Sequence, residues 1–144
     1  MIFYEAETLA EIAPRIMGAF HRIPRHHPQG EPLTMRQYQA LLILKANEQI
    51  TLTAFCEQLG LAPSTGTELA NRMIDSGLFL KCHNTPDRRQ TCLKLSEKGN
   101  AVLQQRKADM IAMFEQLLKP LDEKDRKILT ESFAAIWEIL QKYY

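Results

Sequence analysis

The stretch from residue 85 to residue 99 constrains the fold of this 144-residue chain more than any other part of it. Residues 91–95 alternate in the period of two that is typical of a β-strand, and Ser96 is placed to cap a following helix. Residues 78–82 predict a partner strand, so the two segments form a β-hairpin. The tip of that hairpin carries Pro86, Asp87, Arg88 and Arg89.

Two adjacent arginines on a projecting tip suit contacts with phosphate or with a narrow minor groove. Taken alone, the hairpin favours a solvated surface turn instead. The sequence upstream of the hairpin changes that interpretation.

Three segments with helix signals precede the hairpin. Residues 34–47 begin with a capping box formed by Thr34 and Gln37. Residues 51–59 end before Gly60, and residues 63–76 carry proline in the first turn and glycine just past the end. Two short helices joined by a turn and followed by a hairpin predict a winged helix-turn-helix. The side chains predicted to be buried on the first of these helices are Tyr38, Leu41 and Leu42.

Long amphipathic helices are predicted on both sides of this small domain. Residues 2–23 carry apolar side chains at heptad-like spacing, and Pro14 predicts a kink or short break near Ala13. Residues 24–32 form a loop. Residues 100–119 and a helix capped by Asp122 are amphipathic as well. Apolar stripes of this length are seldom left in water, so homodimerisation is favoured over packing within one chain.

Composition and charge narrow the classes of function that the chain can have. The 45% hydrophobic and 24% charged content is that of a globular protein in water, and no apolar run is long enough to cross a bilayer. Glutamates near the N-terminus argue against a signal peptide, and an odd count of three cysteines favours a reducing interior. Residues 81–107 carry seven basic against two acidic side chains, whereas the rest of the chain sums to −4. Such a local basic patch suits DNA.

The order of these segments resembles the MarR family of bacterial and archaeal transcription regulators over nearly the whole chain. Three pieces carry most of the resemblance: residues 51–61 with Pro63-Ser-Thr65, the Asp87-Arg-Arg89 tip, and Leu95-Ser-Glu-Lys-Gly99. It implies a mainly α fold with a small β-hairpin wing, as one domain over residues 1–144. Residues 33–99 would form the winged helix-turn-helix lobe, and residues 1–30 and 100–144 the dimerisation helices.

The resemblance also implies where DNA binds. The helix of residues 63–76 enters the major groove, Arg88 inserts from the wing, and Asp87 orients the wing arginines by a salt bridge. Ser64, Thr65 and Thr67 are candidates for phosphate or base contacts, with capping of the helix start as the alternative for Ser64 and Thr65. The remaining DNA-binding candidates are Arg36, a weaker backbone contact; Asn71, for adenine; Arg72, for phosphate or an internal salt bridge; and Arg89.

Three residues of the helix-turn-helix depart from the family pattern. Glu68 stands where a basic residue often faces DNA, Ala62 replaces a polar helix cap, and Gly66 costs up to about 1 kcal/mol against alanine, which predicts a pliable recognition helix.

The histidines and cysteines are weak candidates for chemistry. His21, His26, His27 and His83 lie at no metal-ligand spacing with cysteine or carboxylate, so no metal and no cofactor is predicted. Cys82 and Cys92 fall on the two hairpin strands as possible cross-strand neighbours, which leaves both a redox pair and simple packing open. The peroxide-sensing members of the family carry their reactive cysteine in the first helix, where this chain has none.

The leading hypothesis is a cytoplasmic, ligand-responsive repressor that binds a double-stranded DNA operator as a homodimer. The alternative is a winged-helix protein-interaction module without DNA binding, which Glu68 and the net charge of +1 favour. An enzyme is not predicted, since no nucleophile–base pair, phosphate loop or pair of catalytic carboxylates is found. A small aromatic or phenolic effector, which the resemblance suggests, would bind near Met17, Phe20, Tyr38 and Leu42.

Overall fold

The computed structural model describes residues 1–24, 30, 32–82 and 90–144. They form six helices and a small antiparallel sheet, which is the mainly α, winged-helix architecture that the sequence predicts. In chain order these are α1 (Ile2–His21), α2 (Met35–Ala46), β1 (Ile50–Thr51), α3 (Leu52–Leu59), α4 (Pro63–Asp75), β2 (Phe79–Cys82), β3 (Cys92–Leu95), α5 (Glu97–Leu118) and α6 (Glu123–Tyr143).

Local capping signals set most of the helix ends. The Thr34 hydroxyl accepts from the amide of Gln37 at 3.1 Å, and the Gln37 side chain accepts from the Thr34 amide at 3.0 Å, so the predicted capping box is present. Asp122 likewise accepts from the Asp125 amide at 2.8 Å and begins α6. Gly60 ends α3 with a φ of 66°, a left-handed conformation that glycine adopts without a steric penalty.

The chain divides into two compact units, residues 28–109 and residues 1–27 with 110–144. In the first unit the sheet has the order β1-β3-β2, and its core is built on Leu41, Phe55, Met73, Phe79 and Leu93, each less than 2% exposed. The rings of Phe55 and Phe79 meet edge to face, with centroids 5.7 Å apart.

The second unit is organised around three aromatic rings. Phe20 of α1 lies 6.5 Å from Phe114 of α5 and 6.0 Å from Phe133 of α6, and Phe114 and Phe133 are 6.4 Å apart. These edge-to-face contacts join the three helices of the unit.

The structure departs from the sequence analysis at three places. α1 continues through Pro14 without the predicted break, because the missing amide leaves only the exposed carbonyl of Ala10 for water to bind. Leu42 is 43% exposed rather than buried, since α2 turns Tyr38, Ala40, Leu41 and Leu44 inward. The two-residue strand β1 was not predicted, because its pairing with β3 joins residues far apart in sequence.

Candidate nucleic-acid interface

The recognition-helix candidate α4 has one buried and one outward face. Gly66, Ala70 and Met73 are buried. At 3.6 residues per turn, Ser64, Glu68 and Asn71 lie on the opposite side, and all three are exposed. We call the side of α4 that carries these three residues its outer face. It is polar, it remains uncovered in the lobe, and it holds two of the predicted DNA-binding residues.

The first turn of α4 has no side-chain cap. Ala62 occupies the N-cap and supplies no side-chain hydrogen bond, and Pro63 is the first helical residue. The amides of a helix start have no partner inside the helix and favour anions such as phosphate. Ser64 and Thr65 are exposed next to these amides, so their hydroxyls are open to a molecule that approaches the helix start.

Thr67 is placed differently from Ser64 and Thr65. It is half-buried, and its hydroxyl donates to the carbonyl of Pro63 at 2.7 Å. Because this bond uses the only hydroxyl proton, the oxygen can still accept a hydrogen bond, but it has no second proton to donate.

Glu68 and Arg72 form an ion pair on α4. The Arg72 Nη2 atom lies 2.6 Å from the Glu68 Oε1 atom, and the side chains are 69% and 65% exposed. Of the two roles predicted for Arg72, the internal salt bridge is the one observed. Glu68 therefore presents a carboxylate near the middle of the outer face and also occupies the nearest guanidinium.

Gly66 is closely packed between α3 and α4, and the expectation that it makes α4 pliable stays a prediction. A Cβ atom at Gly66 would collide with the Cys56 sulfur and lie 3.1 Å from the Cys56 Cβ. α3 and α4 thus approach so closely that only glycine fits. Burial also raises the pKa of the Cys56 thiol above its ordinary value, which favours its protonated form.

The structure describes the two strands of the β-hairpin, β2 and β3, but not residues 83–89 between them. β2 pairs with β3 in the register Phe79↔Leu95 to Cys82↔Cys92. The predicted wing residues Asp87, Arg88 and Arg89 lie outside the described residues, as do His26, His27 and His83. Lys81 on β2 and Lys94 on β3 are exposed and add positive charge to the strands. These two lysines were not predicted as site residues, although both belong to the basic stretch 81–107.

The remaining predicted residues are spread over both units. Arg36 is exposed in the first turn of α2. Tyr38 is 7% exposed in the core of the lobe, Met17 is 64% exposed on α1, and Phe20 belongs to the aromatic cluster. A hollow of about 560 Å³ at the end of α6 contains none of the four effector-pocket candidates; it is lined by Trp137, Leu140, Gln141 and Tyr144.

The described residues show neither a metal cluster nor a membrane-spanning helix. Among the residues that the structure describes, no group of three or more His, Cys, Asp and Glu side chains could hold a metal ion. None of the described helices is both long enough and apolar enough to cross a membrane.

Comparisons with known proteins agree on one family. The MarR family model matches residues 33–91. The chain is 32% identical over 110 residues to the organic hydroperoxide resistance transcriptional regulator of Bacillus subtilis (strain 168), covering 76% of this chain and 74% of that one. It is 28% identical over 122 residues to the HTH-type transcriptional repressor MdtR of the same organism, covering 83% and 79%. A solved structure of a mutant MarR from E. coli complexed with operator DNA is similar in fold, with a TM-score of 0.67, 18% identity and coverage of 94% and 98%.

Proposed function

Because the chain belongs to the MarR family of transcription regulators, we propose that it is a sequence-specific repressor that binds operator DNA as a homodimer. The observation that carries the proposal is the outer face of α4, which is polar, exposed and next to a helix start with unpaired amides. A helix presented in this way is what a major groove admits.

Exposed residues of α4 supply the proposed base contacts. Asn71 is suited to a bidentate contact with adenine, and the Thr65 methyl group to a thymine methyl. Ser64 is placed for phosphate, as is Arg36 on α2. Thr67 would act only as an acceptor, because its hydroxyl already donates its proton to the carbonyl of Pro63.

The wing supplies the second set of proposed contacts. The hairpin strands leave the sheet at Cys82 and return at Cys92, and the sequence between them contains Asp87, Arg88 and Arg89. We assign the two arginines to the minor groove or the backbone and Asp87 to orienting them. The basic charge of residues 81–107 supports this assignment, since positive charge attracts the phosphate backbone at long range.

The dimer is supported by apolar surface on α1 and α6. Along the described residues of these two helices none is buried. On α6, the exposed large side chains include Ile136, Trp137, Ile139 and Leu140, at 54%, 63%, 57% and 45%. Apolar residues in such number on one helix favour burial against a second copy of the chain.

The proposed effector is a small aromatic or phenolic molecule. The four candidates for its site are apolar or aromatic, and Phe20 already packs among other rings. We propose that such a regulator needs no cofactor, performs no catalysis and acts in the cytoplasm. Met17 and Phe20 in one unit, and Tyr38 and Leu42 in the other, each remain candidates for contact with the effector.

The test is fluorescence anisotropy with labelled DNA from the region upstream of the protein's own gene, against scrambled DNA, over a salt series. We expect preference for the upstream DNA, two chains per site, and affinity that falls steeply as salt rises, since each neutralised phosphate contributes about −0.9 to the logarithmic slope. Failure to bind either DNA at low salt, together with specific capture of a protein partner, would favour the alternative of a protein-interaction module.

The ion pair between Glu68 and Arg72 on α4 leads to a first prediction about DNA affinity. Replacing Glu68 by Gln should tighten DNA binding by about threefold to tenfold, because it removes a carboxylate that repels phosphate and releases Arg72 to contact the backbone. The change keeps the side-chain length and helix propensity nearly constant. Anisotropy at fixed salt measures it.

The matched control for this prediction is Glu131→Gln on α6. Glu131 also forms an exposed i,i+4 ion pair, with Lys127 at 3.9 Å, so the control removes the same charge from the same kind of pair. We expect little change in affinity from it. Equal tightening by both variants would mean that net charge alone acts, and weaker binding by Glu68→Gln would show that Glu68 itself contacts DNA, as a carboxylate can at cytosine N4.

A further inference from the structure

Cys82 and Cys92 are directly opposite each other in the sheet. They are the last described pair between β2 and β3, with Cα atoms 5.0 Å apart, and the structure joins their sulfur atoms in a disulfide. This Cα separation lies within the range that a disulfide spans without backbone movement. The pair therefore fits the register that the strands already have.

The two cysteines differ in the position of their strands in the sheet and in their solvent exposure. Cys92 is on the central strand, which pairs with β1 through Thr51 on its other side, and it is 2% exposed. Cys82 is on an edge strand and is 8% exposed. The Cys92 sulfur also lies 3.8 Å from the Gln49 side-chain oxygen, which a thiol proton at this position can use. Both the thiol and the disulfide state of Cys92 thus have partners in the same fold.

A disulfide between Cys82 and Cys92 encloses a defined segment of the chain. It closes a covalent ring from residue 82 to residue 92 (sequence separation 10), and by sequence that ring contains the wing residues Asp87, Arg88 and Arg89. Without it, the pairing of Cys82 with Cys92 rests on non-covalent contacts. The bond would hold the ends of β2 and β3 together before DNA is bound.

We propose that Cys82 and Cys92 form a reversible dithiol–disulfide site that fixes the end of β2 to β3 and so tightens operator binding when the protein is oxidised. The regulatory part rests on the proposed function. In the cytoplasm thiols are kept reduced, so the dithiol is the ordinary state and the disulfide forms on oxidation. Restricting a loop in a conformation compatible with binding lowers the ordering cost on association.

The oxidant by chemical class is a low-molecular-weight disulfide, such as oxidised glutathione. The thiolate of Cys82, the more exposed of the two, attacks one sulfur of that disulfide, forms a mixed disulfide and releases one thiol. The thiolate of Cys92 then attacks the Cys82 sulfur, forms the intramolecular bond and releases the second thiol. Two protein thiols are oxidised, one small disulfide is reduced to two thiols, and the two protons pass to the released thiols.

The experiment compares the full-length protein after incubation with oxidised glutathione and with dithiothreitol. We expect oxidation to remove two of the three titratable thiols, to join residues 82 and 92 in peptide mass mapping, and to slow amide hydrogen exchange in β2 and β3. Anisotropy should show about threefold to tenfold tighter DNA binding by the oxidised protein. Cys82→Ser and Cys92→Ser should lose these responses, and Cys56→Ala, which keeps the pair, should retain them.

The outcomes separate this inference from the proposed function. Three titratable thiols after oxidation, or a bond that changes neither strand exchange nor affinity, would overturn the redox site. A bond that forms and slows strand exchange in a protein that binds no DNA in either state would support the site and count against the repressor. Circular dichroism on each variant confirms that it is folded, and the two serine variants provide independent tests.

Discussion

Replacing both Arg88 and Arg89 by alanine is expected to weaken operator binding by about a hundredfold or more. An arginine that contacts DNA contributes about 1–3 kcal/mol, and 1.4 kcal/mol corresponds to a tenfold change in affinity. The two side chains are adjacent in sequence within the basic stretch 81–107, so the variant removes two of its seven positive charges. The magnitude of the logarithmic salt slope should therefore fall by about two.

The control for the arginine variant is the double change Lys124→Ala and Lys142→Ala on α6. It removes the same charge from exposed positions on a helix that we assign to the dimer. We expect it to bind operator nearly as the wild type does. If the arginine variant bound unchanged, the wing assignment would be wrong, and if both double variants lost affinity equally, only the total charge would matter.

An intermediate variant separates charge from geometry at the wing. Arg88→Lys with Arg89→Lys keeps both charges but loses the planar, bidentate guanidinium. Affinity close to the wild type would assign the wing to phosphate attraction alone. A loss close to that of the alanine variant would assign it to a shaped contact such as a narrow minor groove.

Features fixed by neighbouring residues were predictable from the sequence. The Thr34–Gln37 capping box, the Asp122 cap and the glycine at the end of α3 each depend on groups within four residues of one another, and all are present. Features fixed by distant residues were not. β1 exists only because β3 pairs with it, and Leu42 is exposed because the lobe core receives its neighbours instead.

The candidate site shows the same difference between features fixed by neighbouring residues and features fixed by distant ones. Helical periodicity alone places Ser64 and Asn71 on one face of α4. Helical periodicity left two roles open for Arg72, and only the side-chain geometry shows its ion pair with Glu68. It likewise treated Gly66 as a weak point, because the nearness of Cys56 depends on how α3 crosses α4.

A single methyl group at Gly99, in the first turn of α5, should cost much stability, because it would meet the backbone of Leu78. The Ser96 hydroxyl accepts from the Gly99 amide at 2.8 Å and donates to the Gly77 carbonyl at 2.6 Å, with the Leu78 carbonyl oxygen 3.0 Å away. A Cβ atom at Gly99 would collide with that Leu78 oxygen, lie 3.1 Å from the Leu78 carbonyl carbon and approach Leu95 Cδ1 at 2.8 Å. The side chain of Leu95 can turn away, but the Leu78 carbonyl belongs to the backbone at the start of β2.

Gly99→Ala is therefore expected to lower the free energy of unfolding by about 3 kcal/mol, at the upper end of what overpacking costs. Urea unfolding at one protein concentration measures it, since the stability of a dimer depends on concentration. Gly18→Ala in α1 is the matched control: its Cβ would meet nothing within 4 Å, so helix propensity should leave it unchanged or up to about 1 kcal/mol more stable. Adding Leu95→Ala to Gly99→Ala should not restore stability, because the collision with the Leu78 backbone remains. Restoration would instead assign the cost to the Leu95 side chain, and an unchanged midpoint for Gly99→Ala alone would show that α5 can move away from the hairpin.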